Sequence, residues 1–348
     1  MLRLGILGCG RIIEEGHLPA LQMLRDRVRV VALSDPSELR RSVVGDAASV
    51  SRERRYESIE GLLNDPDVDL IDIAVPHFLH ESMVLAATRA GRDIVLEKPM
   101  ATSLEECDRM ISAVSAAGRR LAVIHNYAYR APEAKAIELI QSGAIGRPFL
   151  IRHESLGGGH YKGASGYDPD WRTNMARSGG GCLIDNAYHN LYLAALMQQS
   201  PITRVYARLS TFVQQIGVED TALLLLDHEG GGMTSVQVSW AVKAGGRPVH
   251  EIHGTEGSIA LRHDGHAVSL YRNGTGEWEH WNPQSDLGFF GYFAALIDAL
   301  ERDLPPPVGF AAARTNLEVI RAAYKSGESG RPVDIVAMKI DKRDESSR

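Results

Sequence analysis

The sequence predicts an α/β protein with a doubly wound parallel sheet, followed by a second α+β domain built on a large, mostly antiparallel, open-faced sheet. Three observations carry this. Short apolar runs alternate with stretches of helical spacing from Leu2 to Ile124, the first run ends in a glycine turn, and beyond Ile124 the pattern changes to strands of alternating polarity separated by turns. The chain has 348 residues, 44% of them hydrophobic, enough to bury two cores. A net charge of −6 without a Lys/Arg block gives no footprint for nucleic acid or an anionic membrane, so small molecules are the expected partners. Cys9, Cys107 and Cys182 are odd in number and far apart, which argues against a disulfide framework or a zinc ligand set and for a reducing cytoplasm. Neither a signal peptide nor a run of transmembrane length is expected.

The first 124 residues read in order as follows. Leu2 to Leu7 is a strand, Gly8-Cys9-Gly10-Arg11-Ile12-Ile13 a glycine turn, and Leu18, Leu21 and Leu24 mark a helix. Such a turn presents bare backbone N–H groups at a helix N-terminus, where pyrophosphate is favoured. Ile13 stands where the full Rossmann fingerprint has a third glycine, so closer packing of helix on strand is not expected here. Val28 to Ser34 is the second strand and ends at Asp35, placed for the hydroxyls of an adenosine ribose; the lesser alternative is a turn or helix-entry residue before Ser37. The alternation continues with strands at Leu70–Val75, Asp93–Leu96 and Leu121–Ile124 and helices at Glu81–Ala90 and Leu104–Ala117. Ligands of such sheets sit beyond the carboxyl ends of the strands. The fourth strand runs out at Pro76-His77-Phe-Leu-His80 and the fifth at Glu97-Lys98-Pro99, with Lys98 held out of the α region by the proline after it. His77 and His80 lack companions at metal-ligand spacing, so a cap or cofactor-side contact is expected and no metal.

After Ile124 the segment His125-Asn-Tyr127-Ala-Tyr129-Arg130 leads into a helix around Glu133 to Ser142. Thr203 to Phe212 alternates in polarity, and Ala222–Asp227 and Met233–Val242 form a hairpin around His228–Gly232, with Val236, Val238, Trp240 and Val242 on one side. Further turns are expected at Gly254–Gly257, Asp264-Gly265 and Asn273-Gly274. A flat face of that kind is commonly covered by a second subunit, so a homodimer or homotetramer is expected. Helices at Phe289–Leu300 and Ala312–Ser326 flank Pro305-Pro-Pro307, and residues 339–348 read as a charged, disordered tail. The domains are therefore 1–124 and 125–338.

The centre of the chain is Ser178-Gly-Gly-Gly-Cys-Leu-Ile-Asp185-Asn-Ala-Tyr-His189-Asn. The glycines allow a close approach by another group, and Asp185 and His189, four apart, share one face of a helix running through Ala195, where a carboxylate can orient an imidazole. A polar helix face behind a flexible hinge would read the same way. Before this stretch lies a long loop, Gly157 through Arg177, carrying Trp171-Arg172, of a length that is usually functional.

Taken together, the glycine turn, the acid after the second strand, Pro-x-x-x-His after the fourth, Glu-Lys-Pro after the fifth and Gly-Gly-Gly-x-Leu-x-Asp-x-x-x-His resemble the glucose-fructose oxidoreductase/inositol dehydrogenase (Gfo/Idh/MocA) family over nearly the whole chain. The resemblance implies an NAD(P)-dependent dehydrogenase acting on a secondary alcohol of a sugar, sugar derivative or cyclitol. It implies Lys98, Asp185 and His189 as catalytic residues. It places Gly8, Gly10, Arg11, Ile12, Asp35, Pro76, His80, Glu97, Lys98, Trp171 and Arg172 at the cofactor, and Lys98, Tyr127, Arg172, Asp185 and His189 at the substrate. NAD is expected over NADP because a carboxylate at Asp35 repels a 2′-phosphate. Two alternatives remain at this level: a sugar hydrolase or aldose-aldose oxidoreductase that oxidises and re-reduces its substrate on tightly bound NAD, and a non-catalytic nucleotide-binding regulator.

Overall fold

The computed structural model describes residues 1–168, 170–244, 249–263, 265–284 and 286–335; the expected tail and Asp264 of the expected Asp264-Gly265 turn lie outside them. The first half runs β1 (Leu2–Leu7), α1 (Leu18–Met23), β2 (Val28–Ser34), α2 (Glu38–Ala47), β3 (Arg55–Tyr56), α3 (Ile59–Leu63), β4 (Leu70–Ile73), α4 (His80–Arg89), β5 (Asp93–Leu96), α5 (Leu104–Ala116) and β6 (Leu121–Val123). The second runs α6 (Ala131–Gln141), β7 (Pro148–Leu156), α7 (Met175–Ser178), α8 (Tyr188–Gln198), β8 (Ile202–Ser210), β9 (Thr221–His228), β10 (Met233–Ser239), β11 (Val249–Gly254), β12 (Gly257–His263), β13 (His266–Arg272), β14 (Trp278–Trp281), α9 (Phe289–Glu301), α10 (Phe310–Ser329) and β15 (Val333–Asp334).

The six strands up to Val123 form one parallel sheet in the order β3-β2-β1-β4-β5-β6. Its strand order reverses between β1 and β4, so the glycine turn after β1 and the loop after β4 splay apart and leave a crevice. Local signals fix the helices around it: Ser37 caps α2 through the Arg40 N–H, and Ser103 and Glu106 form a capping box on α5.

The later strands form a nine-stranded sheet, β14-β13-β12-β11-β7-β10-β9-β8-β15, antiparallel except where β7 runs beside β10. Alternation sorts its faces. Ala222, Leu224 and Leu226 of β9 and Val236 and Val238 of β10 are buried on the side where α8 and α10 pack, whereas Leu223 and Leu225 are exposed on the other. The apolar set expected to seek a partner is therefore the wrong one: Val236, Val238 and Trp240 are buried in the molecule's own core, and Val242 is partly exposed. The open face carries Leu150, Leu223, Leu225 and Met233 instead, aligned by the pairings Leu150–Met233 and Leu225–Ser235.

Helix α9 comes after the second sheet in sequence but returns to the first. Its Phe289, Tyr292 and Phe293 join the core of β1, β2 and α1, and the Tyr292 hydroxyl donates to the Val123 carbonyl at 2.9 Å.

Candidate active site

The glycine turn is built to leave its backbone bare. Gly8 has φ +93°, and a Cβ there would lie 2.5 Å from the Ala74 carbonyl oxygen; a Cβ on Gly10 would meet nothing within 4 Å. Open space above Gly10 is what a pyrophosphate at this turn needs. Ile13, in place of a third glycine, is fully buried, and the chain opens there into a wider π turn, Ile13–His17, before α1 begins.

Asp35 ends β2 and braces the turn. Its Oδ2 accepts from the Cys9 N–H at 2.7 Å and its Oδ1 from the Ser37 N–H at 2.8 Å. The same Oδ2 takes the Tyr167 hydroxyl at 2.6 Å, so a tyrosine from the long loop stands on the carboxylate expected to read the ribose. Arg40 donates to the Cys9 carbonyl at 2.8 Å and to Glu14 at 2.6 Å, and Arg41 to the Asp35 carbonyl at 2.7 Å.

The two loaded strand ends differ in what they present. Lys98 reaches across to the second half of the chain, where its Nζ donates to Asp185 Oδ1 at 2.7 Å and to the Asp185 carbonyl at 2.9 Å. The Lys98–Pro99 peptide is cis. Glu97 points the other way, one oxygen 2.9 Å from His17 Nε2 and the other accepting from the Lys98 N–H at 3.0 Å. His80 is fully buried between the carbonyls of Pro99 and Val75, at 2.8 and 3.0 Å. The hydrogen bonds of Glu97 and His80 thus go to the protein itself and hold the two strand ends. Pro76 caps the turn at His77–Leu79 that opens α4, His77 Nδ1 lies 2.9 Å from the Ser178 carbonyl, and its ring meets Trp171 edge-on at 4.7 Å.

The glycine run owes its composition to close approach. Gly179 and Gly180 have φ +80° and +152°; a Cβ on Gly180 would collide with the Tyr324 hydroxyl, and one on Gly181 with the Glu219 carbonyl. Glu219 Oε1 accepts from the N–H groups of Gly181 and Leu183 at 2.9 and 3.0 Å and from the Tyr324 hydroxyl at 2.9 Å. A buried carboxylate thus caps the segment that carries the site. Burial raises the pKa of Glu219, and the N–H bonds oppose that rise.

Asp185 lies in a π turn, Leu183–Ala187, and His189 in α8 behind it. They do not bond to each other, contrary to the expected orienting pair: Lys98 takes the carboxylate, and His189 Nδ1 lies 3.0 Å from the Tyr192 hydroxyl. Tyr127 stacks on His189 at 3.8 Å with planes 9° apart, and Arg130 lies over the Tyr127 ring at 4.4 Å. Arg172, stacked on Trp171 at 4.2 Å, brings its Nε to 3.8 Å from Asp185 Oδ2.

Electrostatics separates the two central residues. Burial alone would push the Asp185 carboxyl up, but the charges of Lys98 and Arg172 hold it far below the usual carboxylate range. Burial, with Lys98 adding to it, pushes His189 well below the ordinary imidazole value, and His77 likewise by burial first. The group is a Lys98–Asp185 ion pair beside an imidazole kept neutral by burial.

The long loop closes the crevice from above. Arg11 donates to the Lys162 carbonyl at 3.2 Å and lies 5.0 Å from the Tyr161 ring centre, with Arg172 also 5.0 Å from that ring. Ile12 lies partly buried beside the core around β1. The Tyr161 hydroxyl, Arg172 Nε and His160 Nε2 are buried without hydrogen-bond partners, an arrangement that costs free energy unless a ligand or water supplies them. Together with open Gly10 they fit a dinucleotide lying from the glycine turn toward Lys98. Tyr161, Tyr167, Tyr192, Glu219 and His17 carry no signal in the sequence. None stands in a recognisable spacing, and only the fold brings them to the site. Among the described residues no group of three or more His, Cys, Asp or Glu is arranged for a metal, and no helix is long and apolar enough to cross a membrane.

Comparison with known proteins agrees with this arrangement. Residues 2–125 match the oxidoreductase family with an NAD-binding Rossmann fold, and residues 134–260 match the GFO/IDH/MocA C-terminal domain. An uncharacterised oxidoreductase of Bacillus subtilis, YrbE, is 30% identical over 262 residues, 74% of this chain and 72% of its own. The scyllo-inositol 2-dehydrogenase (NAD(+)) of the same organism is 27% identical over 347 residues, 96% of each chain. Among solved structures, the aldose-aldose oxidoreductase of Caulobacter crescentus complexed with glycerol superposes with a TM-score of 0.83 at 25% identity, covering 96% of this chain and 99% of that one. The chain belongs to the GFO/IDH/MocA family of NAD-binding oxidoreductases.

Proposed function

We propose that this protein is an NAD-dependent dehydrogenase that oxidises a secondary alcohol of a sugar or cyclitol, or reduces the matching ketone. The observation that carries the reading is the Lys98–Asp185 contact of 2.7 Å, which joins the end of a Rossmann strand to the helix bearing His189. The bound nicotinamide supplies the hydride acceptor or donor. Everything else falls to the chain's own residues. Lys98 donates to the substrate oxygen and stabilises negative charge as the hydroxyl proton leaves. His189 takes that proton in the tautomer that donates Nδ1–H to the Tyr192 oxygen and leaves Nε2 as the acceptor, and the depressed pKa keeps the ring neutral. Asp185 holds Lys98 in place and accepts from a neighbouring substrate hydroxyl. Tyr127 and Arg172 flank the substrate, and Arg172 and Trp171 wall the nicotinamide side.

Gly8, Gly10, Arg11 and Ile12 form the pyrophosphate turn, and Asp35 reads the ribose. NAD is preferred over NADP because the Asp35 carboxylate repels a 2′-phosphate and Arg40 is already paired with Glu14. Pro76, His80 and Glu97 shape the crevice by fixing its strand ends. We read 1–124 as the cofactor domain and 125–338 as the substrate domain. The face bearing Leu150, Leu223, Leu225 and Met233 is the surface of a homo-oligomer, and the three buried free cysteines suit a reducing cytoplasm.

Titration with NADH followed by a panel of sugars and cyclitols, scored by absorbance at the reduced nicotinamide band and separately by product analysis, tests the reading. No absorbance change and no product with any of them would reject it. Product without a net absorbance change would favour transient redox, the reading to which likeness to the aldose-aldose oxidoreductase gives weight.

A further inference from the structure

Beneath Lys98 lies a polar group that the reaction outlined above does not use. His17, in the π turn after the glycine turn, is fully buried; its Nδ1 is 2.9 Å from Asp72 Oδ2 on β4 and its Nε2 2.9 Å from Glu97 Oε1 at the end of β5. The second oxygen of Glu97 accepts the Lys98 N–H at 3.0 Å. Helix α9 seals the group with Phe289 and Phe293, whose rings lie 4.8 and 5.4 Å from the imidazole, and Gly16 is small enough to admit Phe289. No charged residue comes from α9; the groups facing His17 are Asp72 from β4 and Glu97 from β5.

The proton count follows from geometry. A neutral imidazole donates from one nitrogen only, yet both nitrogens here face carboxylate oxygens. Either the ring carries both protons, or one carboxyl keeps a proton and gives it to the ring's lone pair. In both distributions the three residues share two protons and carry one net negative charge. Burying such a group is costly, and removing one member of it strands the others. The two carboxylates push His17 up to about 10 even though burial, the largest single influence, pulls it down.

We propose that His17 is a positioning residue for Lys98: by bridging Asp72 and Glu97 it fixes the carboxylate that holds the Lys98 amide, ties this strand end to the glycine turn, and keeps a net negative charge behind the Lys98 ammonium. The proposal rests on the role of Lys98 given above. It explains why Glu97 is buried with both oxygens bonded within the protein, although it adjoins the residue that does the work. The charged groups around Lys98 are Asp185 and Arg172 in front and Glu97 behind, with His77, His80 and His189 held neutral by burial.

The test compares the full-length protein with His17→Leu, His17→Gln, Glu97→Gln, the double variant His17→Leu/Glu97→Gln, and Lys98→Met. Two readouts need no substrate: NADH titration, and the pH dependence of Lys98 acetylation by acetic anhydride followed by peptide mass spectrometry. The third is kcat on whichever sugar of the panel turns over fastest. NADH affinity should stay within about 3-fold of wild type, because the group lies behind the strand ends. Glu97→Gln should let acetic anhydride react with Lys98 at lower pH than in wild type, since an adjacent negative charge is lost. His17→Leu and Glu97→Gln should each lower kcat about 10- to 100-fold with KM little changed, the double variant should be no worse than either, and His17→Gln should recover part of the loss. An unmoved Lys98 titration in Glu97→Gln, losses that multiply in the double variant, or a full-rate His17→Leu would each overturn the proposal. If His17→Leu does not fold, the Glu97→Gln titration decides alone. A Lys98→Met variant with wild-type kcat would instead remove Lys98 from the reaction, and the acetylation readout would still judge the hold that Glu97 has on it.

Discussion

Replacing Tyr167 with Phe should make the protein bind NADH more tightly. The Tyr167 hydroxyl donates to Asp35 Oδ2 at 2.6 Å, the position a ribose hydroxyl must take, so a closed loop and a bound adenosine compete for one carboxylate. The loop's other ties to the glycine turn, the Arg11 bond to the Lys162 carbonyl at 3.2 Å and the Arg11–Tyr161 stack at 5.0 Å, survive the substitution. A hydrogen bond to a charged group contributes roughly 1.5 to 3 kcal/mol net, and Tyr167 is only half buried, so the lower figure applies. About 1.5 kcal/mol is a little over tenfold in the open-to-closed ratio, and apparent affinity scales with the open fraction. NADH fluorescence titration of wild type and Tyr167→Phe should therefore show the dissociation constant falling up to about 10-fold, with the association rate constant rising by a similar factor. If the variant binds NADH less tightly, the tyrosine is a ligand of the ribose and not its competitor; if affinity is unchanged, the loop is not closed by this bond.

Lys98→Met should lower kcat by about 100- to 10,000-fold, roughly 3 to 5 kcal/mol of barrier, while NADH binding persists; single-turnover kinetics on the best substrate checks it, and a near-wild-type rate would remove the lysine from the reaction. Asp35→Ser should move the kcat/KM ratio toward NADP, because two like charges about 4 Å apart at an effective dielectric near 20 cost at most about 4 kcal/mol, less in salt. A ratio that does not move would show that Asp35 does not read the ribose. His17 is raised to about 10, so its contribution to stability is full below the unfolded-state value near 6.5 and is lost as pH rises through 10; the thermal midpoint of wild type should fall between pH 7 and 10, and that of His17→Gln should fall less. Light scattering at micromolar concentration should give a mass at least twice 38.0 kDa, and a 38.0 kDa particle would leave the Leu223/Leu225 face without a partner.

Much of the first sheet was legible because its signals are local. The glycine turn, the acid at Asp35 and the strand ends at Pro76 and Glu97 are each set by a few neighbouring residues, and the structure puts all of them at the carboxyl edge of one sheet. Spacing misled where a helix departs from the ideal. The four-residue separation of Asp185 and His189 implied an orienting pair, but a π turn at Leu183–Ala187 and the reach of Lys98 give each residue a different partner. Alternation in β10 was read correctly as two faces, yet it carries no sign of which face the rest of the chain covers; α8 and the π turn before it pack on the side with Val236 and Val238. The Glu219 cap, the His17 bridge and the Tyr167 contact join residues 36, 80 and 132 positions apart, beyond the range of any local pattern.

The pairing that spacing did not foresee has a chemical consequence. In the proposed reaction the ground-state pocket holds two cations, Lys98 and Arg172, around one carboxylate, Asp185, with His189 and His77 neutral. One positive charge is left over among these side chains on the substrate side, and the charge offsetting it is the buried His17–Asp72–Glu97 group behind the strand end. A neutral alcohol entering the pocket does not balance it; the oxygen does so only as its proton passes to His189 and negative charge gathers there. An interaction that strengthens along the reaction coordinate lowers the barrier, whereas one already complete with bound substrate only tightens binding. Had Asp185 bonded to His189 as the spacing suggested, it would have stabilised the imidazolium but left Lys98 unheld, free to pair with any anion in the crevice. Pairing Asp185 with Lys98 gives up the first benefit and secures the second. It follows that Asp185→Asn should lower kcat more than it raises KM, and should bring inhibition by small carboxylates that wild type does not show. An Asp185→Asn variant whose loss lies wholly in KM would mean that the carboxylate serves substrate binding and that the excess charge has no part in the chemistry.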